Sequence, residues 1–547
     1  MNTSASGSTS ASTNNTSRPN IIVILVDDMG FSDIGCFGSE IQTPNLNKLA
    51  RNGVRNTQHY NCARCCPTRA SLLTGLYPHQ AGVGHMVGNR GTPAYQGYLR
   101  DDCVTIAEAL KADGYQTLMS GKWHVGGTYK PTSPETWEPG TAEHPMPLNR
   151  GFDRFFGTLE GAGSFFHPYT VMEGTATDGW NFIADKKGQV SEQDFFYTDA
   201  ISNKACEMIE EASHSEDPFF LYIAHTAPHW PLHALPEDIA KYEGTYRNGW
   251  DALRTARHEE LKGMGVLDSK WEITPRDETA RAWEDSLNHE WDDIRMAVYA
   301  AQIDRMDQGV GQVVDKLAEL GELDNTLILF MSDNGGCAEF LAEDGNTAER
   351  YAYHTADGEP IRVGNIVNMR PGGPDTFMSY DLPWANASNT PFRLYKHWVH
   401  EGGISTPLIA HWPDKIPGGN RLTHQPTHVV DIMATCLDAA SAPYPKEHNS
   451  NDIQPLEGES FLPLLTDGHM TRERPIYWEH EGNRAVRQDE WKIVSKYPGA
   501  WELYNMDDDR TELTDLIEKN KSLAATLTEQ YDVWAARCEV REWPLGS

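Results

Sequence analysis

The 547-residue chain carries a formal net charge of −33 and 39% hydrophobic residues, with 16 Trp, 21 Tyr and 17 Phe. This composition excludes a disordered or fibrous protein, and an acidic chain with no basic stretch excludes nucleic acid as a partner. No apolar run approaches the roughly 20 residues of a membrane span, and nine cysteines scattered along the chain do not make a disulfide framework.

Residues 1–17, rich in Ser, Thr, Asn and Ala, have neither the basic nor the apolar region of a secretion signal and read as a disordered leader. As written, the chain is expected in the cytoplasm; removal of a signal would instead place it in the periplasm or outside the cell. From residue 18 onward, short apolar runs alternate with helical patterns. That alternation predicts an α/β fold with a large, mainly parallel sheet covered by helices on both faces.

The first predicted strand, 21–26, runs into Asp27-Asp28. In Cys65-Cys66-Pro67-Thr68-Arg69, Pro67 suits the first helical position, and Gly75 suits the C-terminal cap of the same short helix. Residue 65 is thereby placed at a helix N-terminus, where backbone N–H groups favour negative charge. Arg69 follows one turn later. A lone cysteine at such a place reads as a structural or reactive thiol; the surrounding motif is what makes it more.

Residues 105–112 predict a helix closed by Gly114, and 116–119 a strand leading through Ser120-Gly121 to Lys122-Trp123-His124. In an extended stretch, residues two apart share a face, which sets the Lys122 cation beside the His124 imidazole. The strand at 219–224 leads to His225, His229 and Trp230. A long helix is predicted over about 291–320, a strand over 326–332 ending in Asp333-Asn334-Gly335-Gly336, and a further strand over 407–410. Two segments, 232–289 and 337–391, break the alternation, and loops of that length are expected to rim a functional pocket. From about residue 473, strands at 476–479, 485–487, 492–496 and 502–504 precede a helix at 519–537. The expected division is a leader at 1–17, a catalytic domain at 18–472 and an antiparallel C-terminal subdomain at 473–547.

Four of the five core strands end in polar residues. Ligands of open α/β sheets bind beyond the carboxyl ends of the strands, so these sets are expected to converge. Asp27, Asp28, Asp333 and Asn334 offer hard oxygen ligands and neither imidazole nor thiolate, which suits Ca²⁺ or Mg²⁺ better than zinc. Taken singly, each pair is an ordinary cap or turn. His79, His225 and His233 read as structural.

The run Cys65 to Gly75 reads C-x-P-x-R-(x)4-T-G and resembles the signature of type I sulfatases of the alkaline-phosphatase-like superfamily, bacterial arylsulfatases above all. Gly121-Lys122-Trp123-His124, Pro228-His229, Ser332-Asp333-Asn334-Gly335-Gly336, and Lys396 ahead of Glu401-Gly402-Gly403 match further motifs of that family in order. Arg393 and His397 are the alternatives to Lys396. Cys66 and Thr68 stand where serine is common.

The resemblance implies that Cys65 is oxidised to formylglycine by a maturation enzyme and that Ca²⁺ is held by Asp27, Asp28, Asp333, Asn334 and an oxygen of residue 65. Hard-ligand chemistry alone leaves Mg²⁺ open. It further implies that a hydrate hydroxyl of residue 65 attacks sulfur, that Lys396 or His229 protonates the leaving oxygen, and that His124 takes a proton from the second hydroxyl. Arg69 and Lys122 would hold the sulfate. The implied substrates are aryl sulfates or sulfated carbohydrates. The alternatives are a phosphonate or phosphate ester hydrolase using the same aldehyde, and an unmodified binder of sulfated glycans.

Overall fold

A computed structural model describes residues 18–545 except 130–136, 167, 169, 184–194, 344–354 and 356–357; the expected leader at 1–17 lies outside the described residues. Its centre is an 11-stranded sheet. Strands β1 (Asn20–Val26), β2 (Val54–Tyr60), β3 (Gln116–Lys122), β4 (Arg154–Thr158), β5 (Met172–Thr175), β6 (Gly179–Phe182), β7 (Phe219–Ala224), β8 (Thr326–Ser332), β9 (Ser405–His411) and β10 (Arg421–Thr423) lie in the order β10-β2-β9-β8-β1-β7-β3-β4-β5-β6. The two-residue strand Thr427–His428 also pairs with β2. The central run β8-β1-β7-β3-β4 is parallel, while β9 runs antiparallel to both of its neighbours.

The apolar runs read from the sequence are continuous because both faces of these strands are covered. Along β1, Ile22, Ile24 and Val26 pack on one side against α3 (Tyr197–Ala212) and α4 (His289–Leu320). Ile21, Val23 and Leu25 pack on the other side against α1 (Cys65–Thr74), α2 (Ile106–Ala112) and α5 (Asp431–Ala440). Each such side chain taken out of water contributes about 1.5–3 kcal/mol before chain entropy is counted.

Local signals set the helix ends. Thr105 and Glu108 form a reciprocal capping box at the start of α2. Asn288 accepts hydrogen bonds from the N–H groups of Glu290 and Trp291 at the start of α4, so that helix begins two residues before the expected Trp291. Both devices satisfy N–H groups that a helix start leaves open.

The C-terminal strands β11 (Ile476–His480), β12 (Asn483–Gln488), β13 (Trp491–Ser495) and β14 (Glu502–Asn505) form an antiparallel four-stranded sheet, as expected. One face carries Val486, Ile493 and Leu503 against Leu527, Tyr531 and Trp534 of α6 (Lys521–Arg537). The other brings Trp478, Ala485 and Val494 against Tyr60 and Ile404 of the main body. Buried charges join the two parts: Lys492 Nζ lies 2.8 Å from Glu401 and 2.8 Å from Glu512.

Segment 232–289 departs from the expected pocket loop. It contains a helix, Gly249–Gly263, whose buried Trp250 packs on Trp283 and Trp384. Arg257 in that helix pairs with Asp33 at 2.7 Å and Glu40 at 2.9 Å, so the aromatic and charged residues seen there serve packing. All nine cysteines are free thiols. Among the described residues, no helix is long and apolar enough to cross a membrane.

Candidate active site

The strand register brings the polar ends together. Leu25 pairs with Ala224, Ala224 with Gly121, and Val26 with Ser332. The next residues, Asp27, His225, Lys122 and Asp333, therefore leave the sheet at one level. β3 runs longer than expected, with Lys122 as its last residue, and the strand expected over 407–410 extends over Ser405–His411.

Helix α1 points its start at this edge and is buried along its whole length. It begins at Cys65, so Pro67 is its third residue instead of its first. The expectation is corrected by two positions, but its reason survives: the first four N–H groups of a helix lack internal partners, and a proline there forfeits no bond. Gly75 closes the helix with φ of 67°.

Cys65 is 2% exposed. Its thiol is held well below the usual range by a hydrogen bond from Cys66 and, against the opposing effect of burial, by the Lys122 charge and a hydrogen bond with His124. The Sγ atom occupies the place that the oxygens of an oxidised, hydrated residue 65 would take. Cys66 Sγ lies 3.3 Å from Nε2 and 3.5 Å from Nδ1 of His124, against one face of the imidazole. Cys65, Cys66 and His124 each bring a potential ligand atom within 4.8 Å of the others.

Lys122 and His124 do reach one site, but not through strand alternation. Lys122 Nζ donates to Asp27 Oδ2, whereas His124 has left the strand with φ of 56°. Gly161 makes room for the turned ring, since a Cβ there would lie 2.4 Å from it. Burial pushes the His124 imidazole down to about 4, so the ring is neutral at neutral pH.

Arg69 is fully buried and donates to Asp333 Oδ2 at 2.8 Å, to the Lys122 carbonyl at 3.2 Å and to the Tyr222 hydroxyl at 3.4 Å. It lies 3.5 Å from Asp27 Oδ2. The Asp28 N–H donates to Asp333 Oδ1 at 3.2 Å, and Asn334 Nδ2 donates to Asp28 Oδ1 at 2.6 Å. Asp28 Oδ2 faces Lys396 Nζ at 2.9 Å and His229 Nε2 at 3.4 Å. Lys396 Nζ and His229 Nε2 are themselves 3.3 Å apart. All ten residues named from the sequence thus meet at one sheet edge. The alternatives point elsewhere, Arg393 to Glu502 and Tyr504 and His397 to Glu481.

The oxygen cluster suits a hard divalent cation. Asp27 Oδ1 and Asn334 Oδ1 are buried without a hydrogen-bond partner, leaving acceptor capacity of the kind such an ion uses. Burial raises Asp27, but Lys122, His229 and Arg69 outweigh it and hold the carboxyl at about 2. Asp333 is driven well above the carboxylate range by burial and then by the Asp27 charge, a repulsion that a bound cation would relieve.

Close backbone approaches fix the loop carrying Lys396. A Cβ on Gly335 would lie 1.9 Å from the Gly402 carbonyl oxygen, and one on Gly402 would lie 2.2 Å from that of Leu394. The Gly-Gly pairs after Asn334 and Glu401 therefore let two loops touch, which the motifs alone did not explain. Sequence reasoning missed Glu339, which pairs with Arg64 at 3.0 Å and accepts from Trp230 Nε1 at 2.8 Å while standing 3.9 Å from Lys396. It also missed Tyr222. Neither carries a local signal, since each acts only through long-range contacts.

His79 and His233 have structural partners: Glu479 lies 2.9 Å from His79, and the Thr376 carbonyl lies 2.6 Å from His233. His225 is 1% exposed, and burial alone lowers its imidazole to about 4. The unfolded chain, with histidine near about 6.5, takes up that proton first, so folding stability drains away as pH falls from about 6.5 through about 4. His225→Gln is expected to remove this effect. In urea unfolding, wild type should lose about 2–3 kcal/mol more than the variant between pH 7 and 4.5; equal losses would contradict the assignment.

Comparison with known proteins agrees with this geometry. The Sulfatase family model matches residues 19–442, and the model for the C-terminal part of N-sulphoglucosamine sulphohydrolase matches 392–535. An uncharacterized sulfatase of Schizosaccharomyces pombe is 32% identical, covering 96% of this chain and 94% of its own. The arylsulfatase of Klebsiella aerogenes is 33% identical over 84% of this chain and 94% of its own. The crystal structure of Ps i-CgsB in complex with k-i-k-neocarrahexaose superposes with a TM-score of 0.63 at 26% identity, over 95% of this chain and 93% of that one. With a family model spanning most of its length and two relatives above 30% identity that cover 96% and 84% of it, the chain belongs to the sulfatase family of the alkaline-phosphatase-like superfamily and is a sulfuric ester hydrolase.

Proposed function

We propose that this enzyme hydrolyses sulfate monoesters, of an aryl alcohol or a carbohydrate, using formylglycine formed from Cys65 and a divalent cation, Ca²⁺ or Mg²⁺, held by Asp27, Asp28, Asp333 and Asn334. The observation that carries the reading is the convergence of four oxygen donors, four cationic or imidazole groups and Arg69 at the sheet edge where residue 65 begins its helix. A maturation enzyme is required as a partner. The catalytic domain spans 18–472, with 473–547 as its C-terminal subdomain.

A bound cation would neutralise ester oxygens and lower the charge barrier to an incoming nucleophile. Oxidised and hydrated, residue 65 supplies one hydroxyl to attack sulfur and a second whose proton can later be removed, which serine or cysteine lacks. The rest falls to the chain's own side chains. Arg69 and Lys122, buried and braced by Asp27 and Asp333, present fixed positive charge to the sulfate. Such preorganised charge in a site closed to water is usually the largest catalytic contribution, and at contact distance it overrides the acidic surface.

Across the site, burial disfavours a charged Lys396, but Asp28 and Glu339 outweigh it and hold the ammonium well above its ordinary range. Lys396 therefore binds the ester, and His229 beside it donates the proton to the leaving oxygen. His124, neutral through its lowered pKa and packed against the start of α1, accepts a proton there.

Lys396→Ala is expected to lower kcat/KM for an aryl sulfate by about 10²–10³-fold, the effect of removing one preorganised donor. A loss under threefold would take Lys396 out of the site. Side-by-side turnover of aryl sulfate, phosphate diester and phosphonate tests the class; the proposal predicts sulfate as the preferred substrate.

A further inference from the structure

A second cluster lies where the C-terminal sheet meets the Lys396 loop. His480 ends β11, and Glu481-Gly482 form the two-residue turn into β12, with φ of 50° and 79°. A turn with both φ positive favours Asn-Gly or Asp-Gly, so glutamate is not there for the turn. His397 follows Lys396 directly. His397 Nδ1 lies 3.0 Å from Glu481 Oε2 and His85 Nε2 lies 2.7 Å from Glu481 Oε1. His397, His480 and Glu481 each bring one ligand atom within 4.8 Å of the others.

His480 is the informative member. It is fully buried, and neither ring nitrogen has a hydrogen-bond partner. Its ring stacks on His85 at 5.7 Å and meets His397 edge-on at 5.6 Å, with Nε2 3.8 Å from Glu481 Oε1. Buried polar atoms nearly always have a partner, and here both nitrogens stand open beside an imidazole and a carboxylate.

We propose that His397, His480 and Glu481 bind a zinc ion, with His85 orienting the Glu481 carboxylate from behind. Two imidazoles and one carboxylate are a recurrent zinc donor set. Tetrahedral bonds of about 2.0–2.1 Å put ligand atoms about 3.3–3.5 Å apart, and His397 Nδ1 and His480 Nε2 stand 3.0 Å and 3.8 Å from the Glu481 oxygens. The chain would thus sort two ions by hardness, an oxygen-bound one at Asp27 to Asn334 and a nitrogen-bound one here. The second would clip the Lys396 loop to the β11–β12 turn.

Zinc content after equilibrium dialysis against micromolar ZnCl₂ with millimolar CaCl₂, and the visible spectrum after Co²⁺ replacement, test this on the full chain. Because Cys65, Cys66 and His124 form a thiol-rich competitor, Cys66→Ser serves as the control. One zinc equivalent should persist in Cys66→Ser and vanish when either His480→Ala or the near-isosteric Glu481→Gln is added to that Cys66→Ser background, together with the tetrahedral Co²⁺ bands. His85→Ala should weaken binding about 10–100-fold, as loss of an orienting partner does. Retention of the equivalent in both ligand variants, or its absence from Cys66→Ser, overturns the proposal.

Discussion

Cys65→Ala is expected to lower sulfate-ester turnover by about 10⁴-fold or more, the scale seen when a covalent nucleophile is removed, while the fold persists. The two effects separate because of where the residue sits. Its side chain meets Cys66, Lys122 and His124 at the site, whereas helix α1 is held by Leu72 and Leu73 in the core and by Gly75 at its end. Truncating one small buried side chain costs about 1 kcal/mol, near the centre of measured single-site effects. Steady-state rates on an aryl sulfate and a urea unfolding curve of the same preparation check both halves. Turnover within tenfold of wild type would end the proposed role of residue 65.

Asp333→Ala is expected to lose bound cation, activity and stability together. The carboxylate has two attachments: Oδ1 accepts the Asp28 N–H, which orients that neighbour, and Oδ2 takes the Arg69 guanidinium at 2.8 Å. Both members of the ion pair are wholly buried, so the variant takes from a buried guanidinium its nearest carboxylate and leaves Asp27 at 3.5 Å as the other, at a cost of up to about 3–5 kcal/mol. Cation content by atomic emission should fall to background, with turnover down by about 10³-fold. Asp333→Asn separates the roles, since it keeps an acceptor for Asp28 but removes the charge. Normal cation content in both variants would remove Asp333 from the ligand set.

Much of the site was legible because the strands that carry it are apolar and continuous. Residues 21–26, 219–224 and 326–332 sit in the middle of a sheet covered on both faces, so their composition announces them and their ends fall on Asp27, His225 and Asp333. The second strand was not legible. Val54–Tyr60 is mostly polar, yet every residue is buried. Arg55 donates to the Cys36 carbonyl at 2.7 Å, Asn56 and His59 meet Thr427, and Tyr60 donates to Glu401 at 3.1 Å. Apart from Cys36, these partners lie hundreds of residues away; they make that burial tolerable, and no local pattern encodes them.

The same limit explains Glu339 and Tyr222 at the site, and the zinc-ligand cluster, whose members are drawn from the stretch after α1, the Lys396 loop and a C-terminal hairpin. His124 was found for the right chemistry and the wrong geometry. Its motif named it, but a left-handed turn, not strand pleating, aims its ring at the start of α1.

The central claim is that sulfate-ester cleavage resides in an oxidised residue 65 set among these groups. Mass spectrometry of the peptide holding residue 65, on preparations made with and without a maturation enzyme, measures the fraction in which oxygen has replaced sulfur. Specific activity on an aryl sulfate should rise in proportion to that fraction and vanish where the residue is entirely thiol. Full turnover by a preparation whose residue 65 is all cysteine would contradict the account.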